Sequence, residues 1–376
     1  MTSAGAINRP KEFNFSAGPA MLPDPVEKAL QHALVDFEGT GRSILTLNHR
    51  SDRFNALMHS AQSKLRALMG MGDDFEILFC GYGASLHFSA IPLNLLPEQG
   101  TAIYEMSGYW SDRAADEAEH YGQIWRFQAP LNVTKEARDQ GAEIRDQMLG
   151  GEFPAYAYYC ANETIDGIEW PEPPDHWYGS VPCPLVADMS SNLLSRQIAL
   201  EGHGLIFASA QKNLGITGLS VVMIRKDLLG LARAQTPRLM NYEVLAAAGS
   251  IPNTAPVLPI FALEQTLIWI EQQGGLETMD SLARQRSDLL YSFIDDSELY
   301  RNEVPASLRS RMNIPFALRD PAITALFLSG AEQRGLIQLA GHRSRGGIRA
   351  SLYNAMPLEG VVRLTEWMNE FEQEHG

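Results

Sequence analysis

The sequence predicts an α/β fold, in which a mostly parallel sheet lies between helices, followed by a smaller α+β domain. Six short apolar runs in the first 225 residues alternate with helical or loop segments. These runs are apolar throughout instead of alternating with polar residues, so both faces of the sheet should be buried. From residue 258 long amphipathic patterns begin. We therefore expect an N-terminal segment (1–22), a large domain (23–257) and a small C-terminal domain (258–376).

The elements follow from local patterns. DPVEKALQHALVDFE, with Pro25 in its first turn, and DRFNALMHSAQSKLRALMG, closed by Gly70, place apolar residues on one helical face. The predicted strands of the large domain are 76–80, 101–104, 156–160, 184–188, 204–208 and 219–224. In the small domain we expect helices at 258–272, 275–295, 321–334 and from 357 onward, with strands at 312–318 and 346–353.

Composition narrows the classes of function. With 45% hydrophobic and 20% charged residues, the 376-residue chain is typical of a folded globular protein. A net charge of −15 disfavours binding to nucleic acid or to anionic membranes. No apolar run is long enough to span a bilayer, and the N-terminus lacks a signal-peptide pattern, so we expect a cytoplasmic protein. The three cysteines and nine histidines show no metal-ligand spacing, so no metal site is expected.

Lys212 is the first candidate for chemistry. It lies in SAQKNLG, directly after the predicted strand 204–208, and no other lysine occurs between Lys135 and Lys226. Ligands of open α/β sheets bind at the carboxyl ends of the strands. A desolvated lysine there has a lowered pKa and can form a Schiff base, which arginine cannot do. The alternative is a solvated loop lysine.

Asp188 ends the preceding predicted strand and should lie at the same edge of the sheet. A buried carboxylate there would pair with a cationic nitrogen, as an acidic group does with the pyridine nitrogen of pyridoxal phosphate. The alternative is that Asp188 caps the turn that follows it.

A phosphate group could bind at Gly81-Tyr82-Gly83-Ala84-Ser85, between a strand and a helix start, because free backbone N–H groups there attract anions. The competing interpretation is a dinucleotide loop, with Glu105 at the end of the next strand as the ribose-binding acid. It is disfavoured because Leu86 occupies the place of the third glycine in GxGxxG.

Aromatic and basic residues complete the set of candidates. Trp110 follows strand 101–104, where an indole could stack on a flat cofactor or simply pack in the core. The pairs His49-Arg50 and His342-Arg343, the latter followed by Arg349, concentrate positive charge suited to a small dianion. Surface ion pairing is the alternative for these basic residues.

Taken together, these motifs resemble those of phosphoserine aminotransferases, class V members of the fold-type I pyridoxal phosphate enzymes. The resemblance spans nearly the whole chain. It rests on NFSAGPAMLP (14–23), His49-Arg50, GYW (108–110), NETIDG (162–167), DMSS (188–191), AQKN (210–213), Asn253-Thr254, and GHR (341–343) through RASLYNAMP (349–357).

The resemblance implies a role for each motif. Lys212 would hold pyridoxal 5′-phosphate covalently, Asp188 would pair with its ring nitrogen, Trp110 would stack on the ring, and Thr164 would contact the ring hydroxyl. The cofactor phosphate would be bound by Ala84, Ser85 and Gln211. The N-terminal segment would lie near the active site.

The resemblance also implies a homodimer with shared active sites. From the partner subunit, Asn253 and Thr254 would reach the cofactor phosphate and His49 and Arg50 the substrate. His342 and Arg343 would bind the substrate phosphate, and Arg349 the α-carboxylate.

The implied reaction moves the amino group of glutamate to 3-phosphohydroxypyruvate, in serine biosynthesis. Whether 4-phosphohydroxy-L-threonine, an intermediate of pyridoxine biosynthesis, also reacts stays open. Relatives commonly have glycine and glutamine where this chain has Tyr82 and His87, so the phosphate contacts at these positions also stay open. A transaminase for unphosphorylated substrates and a non-catalytic protein of the same fold are the remaining alternatives, and the intact Lys212 and Asp188 argue against the second.

Overall fold

The structure is a computed structural model that describes residues 12–128, 153–173 and 183–376. Residues 1–11 of the predicted N-terminal segment lie outside the described residues. In chain order the described strands are β1 (Phe13–Asn14), β2 (Phe75–Cys80), β3 (Thr101–Glu105), β4 (Gln123–Phe127), β5 (Ala157–Cys160), β6 (Asn162–Glu163), β7 (Ile168–Glu169), β8 (Leu185–Asp188), β9 (His203–Ser209), β10 (Ser220–Arg225), β11 (Tyr300–Arg301), β12 (Asn313–Leu318), β13 (Leu336–Ile337) and β14 (Ile348–Ser351).

The described helices are α1 (Asp24–Val35), α2 (Asp52–Met69), α3 (His87–Leu95), α4 (Tyr109–Ala118), α5 (Tyr242–Ala247), α6 (Val257–Gln272), α7 (Gly275–Asp296), α8 (Thr324–Gln333) and α9 (Leu358–His375). Six of them, α1, α2 and α6 to α9, lie within a few residues of the predicted ones, whereas α4 and α5 were not predicted and α3 was expected only as a helix start. Gly70 ends α2 in the left-handed region at φ 64°, and its N–H donates to the Ala67 and Arg66 carbonyls.

The central sheet has seven strands in the order β2-β10-β9-β8-β5-β3-β4. Neighbouring strands from β9 to β4 run parallel, whereas β10 is antiparallel to both β2 and β9. The predicted mostly parallel α/β sheet is therefore confirmed. The parallel strands point their carboxyl ends to one edge, where the candidate site residues follow them.

Both faces of this sheet are buried, as the continuous apolar runs predict. In β9, Ile206 and Ala208 belong to the core on one face, with α2 and α6. Leu205 and Phe207 belong to the core on the other face, with α3 and α4. Because successive side chains of a strand alternate between faces, a strand with helices on both sides must be apolar at every position.

A second core lies around the small sheet β11-β12-β14. It contains residues of α8 and α9 and also Phe13 and Phe15, because β1 pairs in parallel with β13. Two helices that follow the predicted domain boundary at 257/258 also contact the core of the large sheet. Helix α6 packs against α2 in the core of the large sheet, and α7 contributes Met279 to that core and Leu290 to the second one.

Two kinds of feature are absent from the residues that the structure describes, 12–128, 153–173 and 183–376. No helix in these ranges has the length and hydropathy needed to cross a membrane. No group of three or more His, Cys, Asp or Glu in them is arranged to hold a metal ion.

The position of α6 in the large core predicts the cost of truncating it. Leu267, fully buried in α6, should lose about 2–5 kcal/mol of unfolding free energy in Leu267→Ala, because its apolar contacts vanish and a cavity remains. Urea unfolding measures the loss. The control is Leu326→Ala, whose leucine is 52% exposed in α8 and should change the unfolding free energy by at most about 0.5 kcal/mol. Equal losses would contradict the assigned packing.

Candidate active site

Three neighbouring strands bring Thr164, Asp188 and Lys212 together. In the sheet register Cys160 at the end of β5 lies opposite Asp188, and Asp188 lies opposite Phe207 of β9. The chain then continues from β5 to Thr164 and from β9 to Lys212. The Lys212 Nζ donates a hydrogen bond of 2.9 Å to Thr164 Oγ1. The strand ends had predicted that Asp188 and Lys212 share this edge, whereas Thr164 was named only through the family resemblance.

The Lys212 amine is desolvated. Burial lowers its pKa, the nearby charge of Asp188 opposes that shift, and the positive charge of Arg349 adds to it. A lowered pKa increases the fraction of free amine near neutral pH, and the free amine is the nucleophilic form. The structure thus favours a reactive lysine over a solvated loop lysine.

Asp188 caps the turn that follows it and is also buried enough to need a cationic partner. Its Oδ1 accepts a 2.8 Å hydrogen bond from the Ser190 N–H, so it does cap the following turn. It is also only 5% exposed, and burial raises its pKa while the Ser190 hydrogen bonds and the charge of Lys212 lower it. A buried carboxylate needs a cationic partner, which a protonated ring nitrogen would supply.

The segment around Gly18 lies over Gln211 and Lys212. The Ala20 N–H donates to the Gln211 carbonyl at 2.9 Å, and a Cβ on Gly18 would lie 4.0 Å from Lys212 Cε. The Gln211 side chain accepts a hydrogen bond from the Ser209 hydroxyl. This chain segment therefore screens the lysine from one side.

The predicted phosphate loop forms a helix start at the same edge of the sheet. Ala84 to Leu86 make one 3₁₀ turn that continues into α3, and Ser85 is exposed. The first N–H groups of such a turn have no partner within the helix. Pro256 lies beside this loop, 3.5 Å from where a Gly81 Cβ would stand. The turn therefore offers N–H donors to an anion.

His87 serves the protein and not a ligand. It is fully buried, its Nδ1 lies 2.9 Å from Tyr242 Oη, and its Nε2 lies 2.8 Å from Ser220 Oγ. Burial lowers its pKa to about 3, so the ring is neutral. The ring of Tyr82 packs against His87 with 5.1 Å between centroids. His87 thus ties the phosphate loop to β10 and α5 and contributes no charge to it.

Arg349 is a half-buried cation beside the lysine. One guanidinium nitrogen donates to the Thr164 carbonyl at 3.4 Å, and its Nε has no hydrogen-bond partner among the described residues. Within the same ranges no carboxylate forms a salt bridge with it. Burial lowers its pKa. A half-buried guanidinium without a carboxylate is suited to bind a carboxylate or phosphate through its planar fork.

His342 and Arg343 extend this positive region along the turn between β13 and β14. Burial and the charges of Arg349 and Arg343 lower the pKa of His342, whose ring lies 5.4 Å from that of Tyr109. The Gly341 N–H donates to the Gly347 carbonyl at 2.9 Å, and a Cβ on Gly341 would overlap the Gly346 carbonyl oxygen. Glycine is required there because the turn closes so tightly.

A cleft of about 990 Å³ opens beside these residues. Ser107, Gly108 and Asp166 line its large-domain side, and His342 and Arg349 line the opposite side. This volume accommodates a small metabolite.

Of the fourteen predicted site residues only His342 and Arg349 line this cleft, and Lys212, Asp188 and Thr164 are not among its lining residues. For four of the others, His49, Arg50, Asn253 and Thr254, the resemblance implies that they act from a partner subunit. Arg50 is exposed in the turn that Ser51 closes before α2, and Asn253 and Thr254 are exposed before α6. Their predicted roles depend on a partner subunit.

Comparison with known proteins gives one consistent result. The model of the class-V aminotransferase family matches residues 12–364. The phosphoserine aminotransferase of Pseudomonas aeruginosa strain LESB58 is 43% identical over 369 residues, which is 97% of this chain and 99% of that protein. The chain belongs to the class-V aminotransferases. Within that family it groups with the phosphoserine aminotransferases.

Solved structures agree. The phosphoserine aminotransferase of Bacillus circulans subsp. alkalophilus superposes with a TM-score of 0.88 at 36% identity, covering 97% of this chain and 99% of that one. The phosphoserine aminotransferase of Trichomonas vaginalis with bound PLP superposes with a TM-score of 0.86 at 36% identity, covering 96% and 100%.

Two carboxylates in this class-V aminotransferase were missed by the sequence argument. Glu163 and Asp166 flank Thr164 in the quoted NETIDG motif. Glu163 accepts hydrogen bonds from the Trp110 N–H at 2.8 Å and the Ser111 N–H at 2.9 Å, and Asp166 accepts one from the Tyr109 N–H at 2.8 Å. A buried acid that binds the start of a helix far away in the chain leaves no periodic pattern in the sequence. The one available signal was that both acids share a motif with Thr164.

These carboxylates distinguish the two helix starts of the site. The first N–H groups of α4 are already satisfied by negative side chains, so a phosphate there would meet electrostatic repulsion. The turn before α3 has no such carboxylate among its described hydrogen-bond partners. Of the two helix starts, that of α3 is therefore the one suited to bind an anion.

The burial of Glu163 predicts a pH effect on stability. Its pKa is raised from 4.5 to about 7 by burial, against the N–H groups of Ser111 and Trp110 that lower it. The folded state thus keeps a proton that the unfolded chain has released, and Glu163 contributes less stability as pH rises through this window. The glutamine of Glu163→Gln cannot titrate, so the variant escapes this loss of stability. The difference in unfolding free energy, variant minus wild type, should therefore increase by about 2 kcal/mol between pH 5.5 and pH 8.

Urea unfolding at the two pH values measures this difference. Glu298→Gln, at an exposed carboxylate, is the control and should leave the pH dependence unchanged. A constant difference for Glu163→Gln would contradict the raised pKa.

Proposed function

We propose that this protein is a pyridoxal phosphate-dependent phosphoserine aminotransferase, which moves the amino group of glutamate to 3-phosphohydroxypyruvate and yields O-phospho-L-serine and 2-oxoglutarate. The observation that carries the proposal is Thr164, whose hydroxyl accepts from Lys212 while its carbonyl accepts from Arg349. One residue thus holds an amine suited to Schiff-base chemistry next to a cation suited to an amino acid carboxylate. This arrangement joins a transaminase lysine to its substrate site.

The residues present fit the cofactor. A desolvated amine, a buried carboxylate and a helix start with free N–H groups lie at one sheet edge, and the Trp110 Nε1 is buried without a partner among the described residues. These are the groups that an aldehyde, a pyridine nitrogen, a phosphate and an aromatic ring require. When bound, pyridoxal phosphate supplies an electron sink that stabilises negative charge at the substrate Cα.

Each side chain has a role toward that cofactor. Asp188 would hold the proton on the ring nitrogen, Thr164 would orient the lysine, and Trp110 would hold the ring. The phosphate would be held at the α3 start and by residues around Lys212 and α6. These are Ala84, Ser85 and Gln211, with Asn253 and Thr254 of the second subunit.

Lys212 performs the proton transfer. Its free Nζ removes the proton from the substrate Cα, and its lowered pKa keeps the amine in the basic form at neutral pH. Thr164 Oγ1 holds Nζ at 2.9 Å, and the segment at Gly18 limits the access of water.

The basic residues select the substrate. Arg349 binds the α-carboxylate, because it is the cation that lies beside both Thr164 and Lys212. His342 and Arg343 bind the far end of the substrate, which is a phosphate in O-phosphoserine and a carboxylate in glutamate. One pocket for both anions serves the two half-reactions.

The active enzyme is a homodimer with shared sites in this proposal. Three of the four residues assigned to the second subunit, Arg50, Asn253 and Thr254, are exposed on their own chain and so are accessible to a partner. A second copy that brings His49 and Arg50 to the substrate would bury their charges against its phosphate.

Preference for phosphorylated substrates tests the function. In Arg343→Ala, kcat/KM for O-phosphoserine should fall about 100-fold, because a charge-assisted pair with the phosphate is lost, while that for serine should hardly change. A coupled assay of 2-oxoglutarate consumption measures both. Lys212→Ala should lose all activity and the borohydride-reducible link to the cofactor. Arg319→Ala, at an exposed arginine, is the control. Equal losses for both amino donors would favour a transaminase for unphosphorylated substrates.

Mixing two inactive variants tests the shared site. Lys212→Ala and Arg50→Ala homodimers should each be nearly inactive, but a mixed dimer has one site with an intact lysine and an intact arginine from the other subunit. After unfolding and refolding together, activity should recover to about a quarter of wild type, because half of the dimers are mixed and each has one complete site. Recovery to no more than the sum of the separate variants would place Arg50 in its own chain's site.

A further inference from the structure

Asp166 binds one group on each side of the cleft. Its Oδ2 accepts a 2.8 Å hydrogen bond from the Tyr109 N–H at the start of α4, and its Oδ1 accepts one from the Arg345 guanidinium in the turn between β13 and β14. The Asp166 side chain is 3% exposed, whereas that of Arg345 is 63% exposed. The arginine therefore comes to the carboxylate from the solvent side and partly covers it.

Tyr109, whose N–H Asp166 binds, lies between two residues of the proposed active site. Tyr109 precedes Trp110, and their rings make an edge contact at 5.3 Å between centroids. On its other side, the Tyr109 ring lies 5.4 Å from that of His342. Tyr109 thus lies between the residue proposed to cover the cofactor and one proposed to bind the substrate phosphate.

The large-domain side of this contact has no free space. A Cβ at Gly108 would lie 2.7 Å from Asp166 Cγ and 2.9 Å from Glu163 Cδ. The backbone at Gly108 approaches the two carboxylates so closely that only a residue without a side chain fits there. The position of Asp166 relative to α4 is therefore set by contact.

The turn on the other side is compact as well. The N–H groups of Arg345 and Gly346 donate to the His342 carbonyl at 2.9 and 2.8 Å, and the Ser344 hydroxyl lies 2.7 Å from His342 Nδ1. Because these bonds join Arg345 to His342, the ion pair with Asp166 also fixes the histidine.

Asp166 pairs with only one of the three arginines in the turn and in β14. Arg345 is paired with Asp166, whereas Arg343 and Arg349 have no carboxylate partner among the described residues. Arg345 is thereby withdrawn from the substrate, and the other two keep their charge for it.

We propose that Asp166 is a positioning residue that, through Arg345, holds the substrate turn 341–347 against the first turn of α4. This inference rests on the proposed function and deepens it, because it assigns the orientation of the phosphate-binding His342 and Arg343 to an ion pair on the wall of the cleft to which the proposed function gives no substrate or cofactor contact. The Asp166–Arg345 pair acts on binding of the anionic end of the substrate and leaves the proton transfer at Lys212 unaffected.

The test is a double-mutant cycle with Arg345→Ala, Asp166→Asn and both together. Arg345→Ala should raise KM for O-phosphoserine about fivefold, the value of a favourable partly exposed ion pair, and leave kcat within about twofold. Asp166→Asn keeps an oxygen for the Tyr109 N–H and should give a similar KM. The double variant should be no worse than either single one. Arg345→Lys should recover part of the loss, and Arg319→Ala should change nothing.

A second measurement does not depend on activity. In protein freed of cofactor, the urea midpoints of the four members of the cycle should be non-additive, because each single change breaks the same pair. Additive midpoints, or a fall in kcat with KM unchanged, would overturn the proposal. If the wild type does not transaminate O-phosphoserine at all, the proposed function fails, and non-additive midpoints would still show that the pair joins the two sides.

Discussion

Desolvation of the Lys212 amine at the carboxyl edge of the sheet is the constraint on which the site depends. Because the helices cover both faces of the sheet, the strand ends are where polar side chains meet a ligand. Burial lowers the pKa of the lysine, and Thr164 and Asp188 from the two neighbouring strands compensate with a hydrogen bond and a negative charge. The reactive amine and its partners therefore arise from one property of the sheet, the parallel direction of its strands.

The starts of α3 and α4 differ in charge because carboxylates accept hydrogen bonds from the first N–H groups of α4, whereas no described carboxylate accepts one from those of α3. Glu163 and Asp166 close the start of α4, so this end holds Trp110 in place and offers nothing to an anion. The α3 start has no such carboxylates among its described hydrogen-bond partners, and His87 anchors it as a neutral ring. Under the proposed function, α3 would bind the phosphate of the cofactor and α4 would hold Trp110 against its flat ring.

The second core brings the basic residues proposed to bind the substrate to this edge of the sheet. Strand β1 pairs with β13, so the N-terminal segment belongs to the small core before it passes over Lys212. Helix α7 packs in both cores, which connects them without a flexible linker. The basic turn between β13 and β14 is thereby held against α4, and Arg349 reaches Thr164.

The sequence by itself determined the α/β class, the strand ends and the candidate residues Lys212, Asp188 and Trp110, because continuous apolar runs and residues directly after them are local features. The phosphate loop and the basic pairs were also visible as local patterns, and the family motifs supplied Thr164, Gln211, Asn253 and Thr254. Only the tertiary structure decided that α6 packs in the large core, that Phe13 joins the small one, and that Glu163 and Asp166 hold α4. These are contacts between segments distant in the chain, and a single sequence carries no periodicity that records them. His87 illustrates the difference: its type was visible, but its neutral structural role depends on Ser220 and Tyr242, more than 130 residues away.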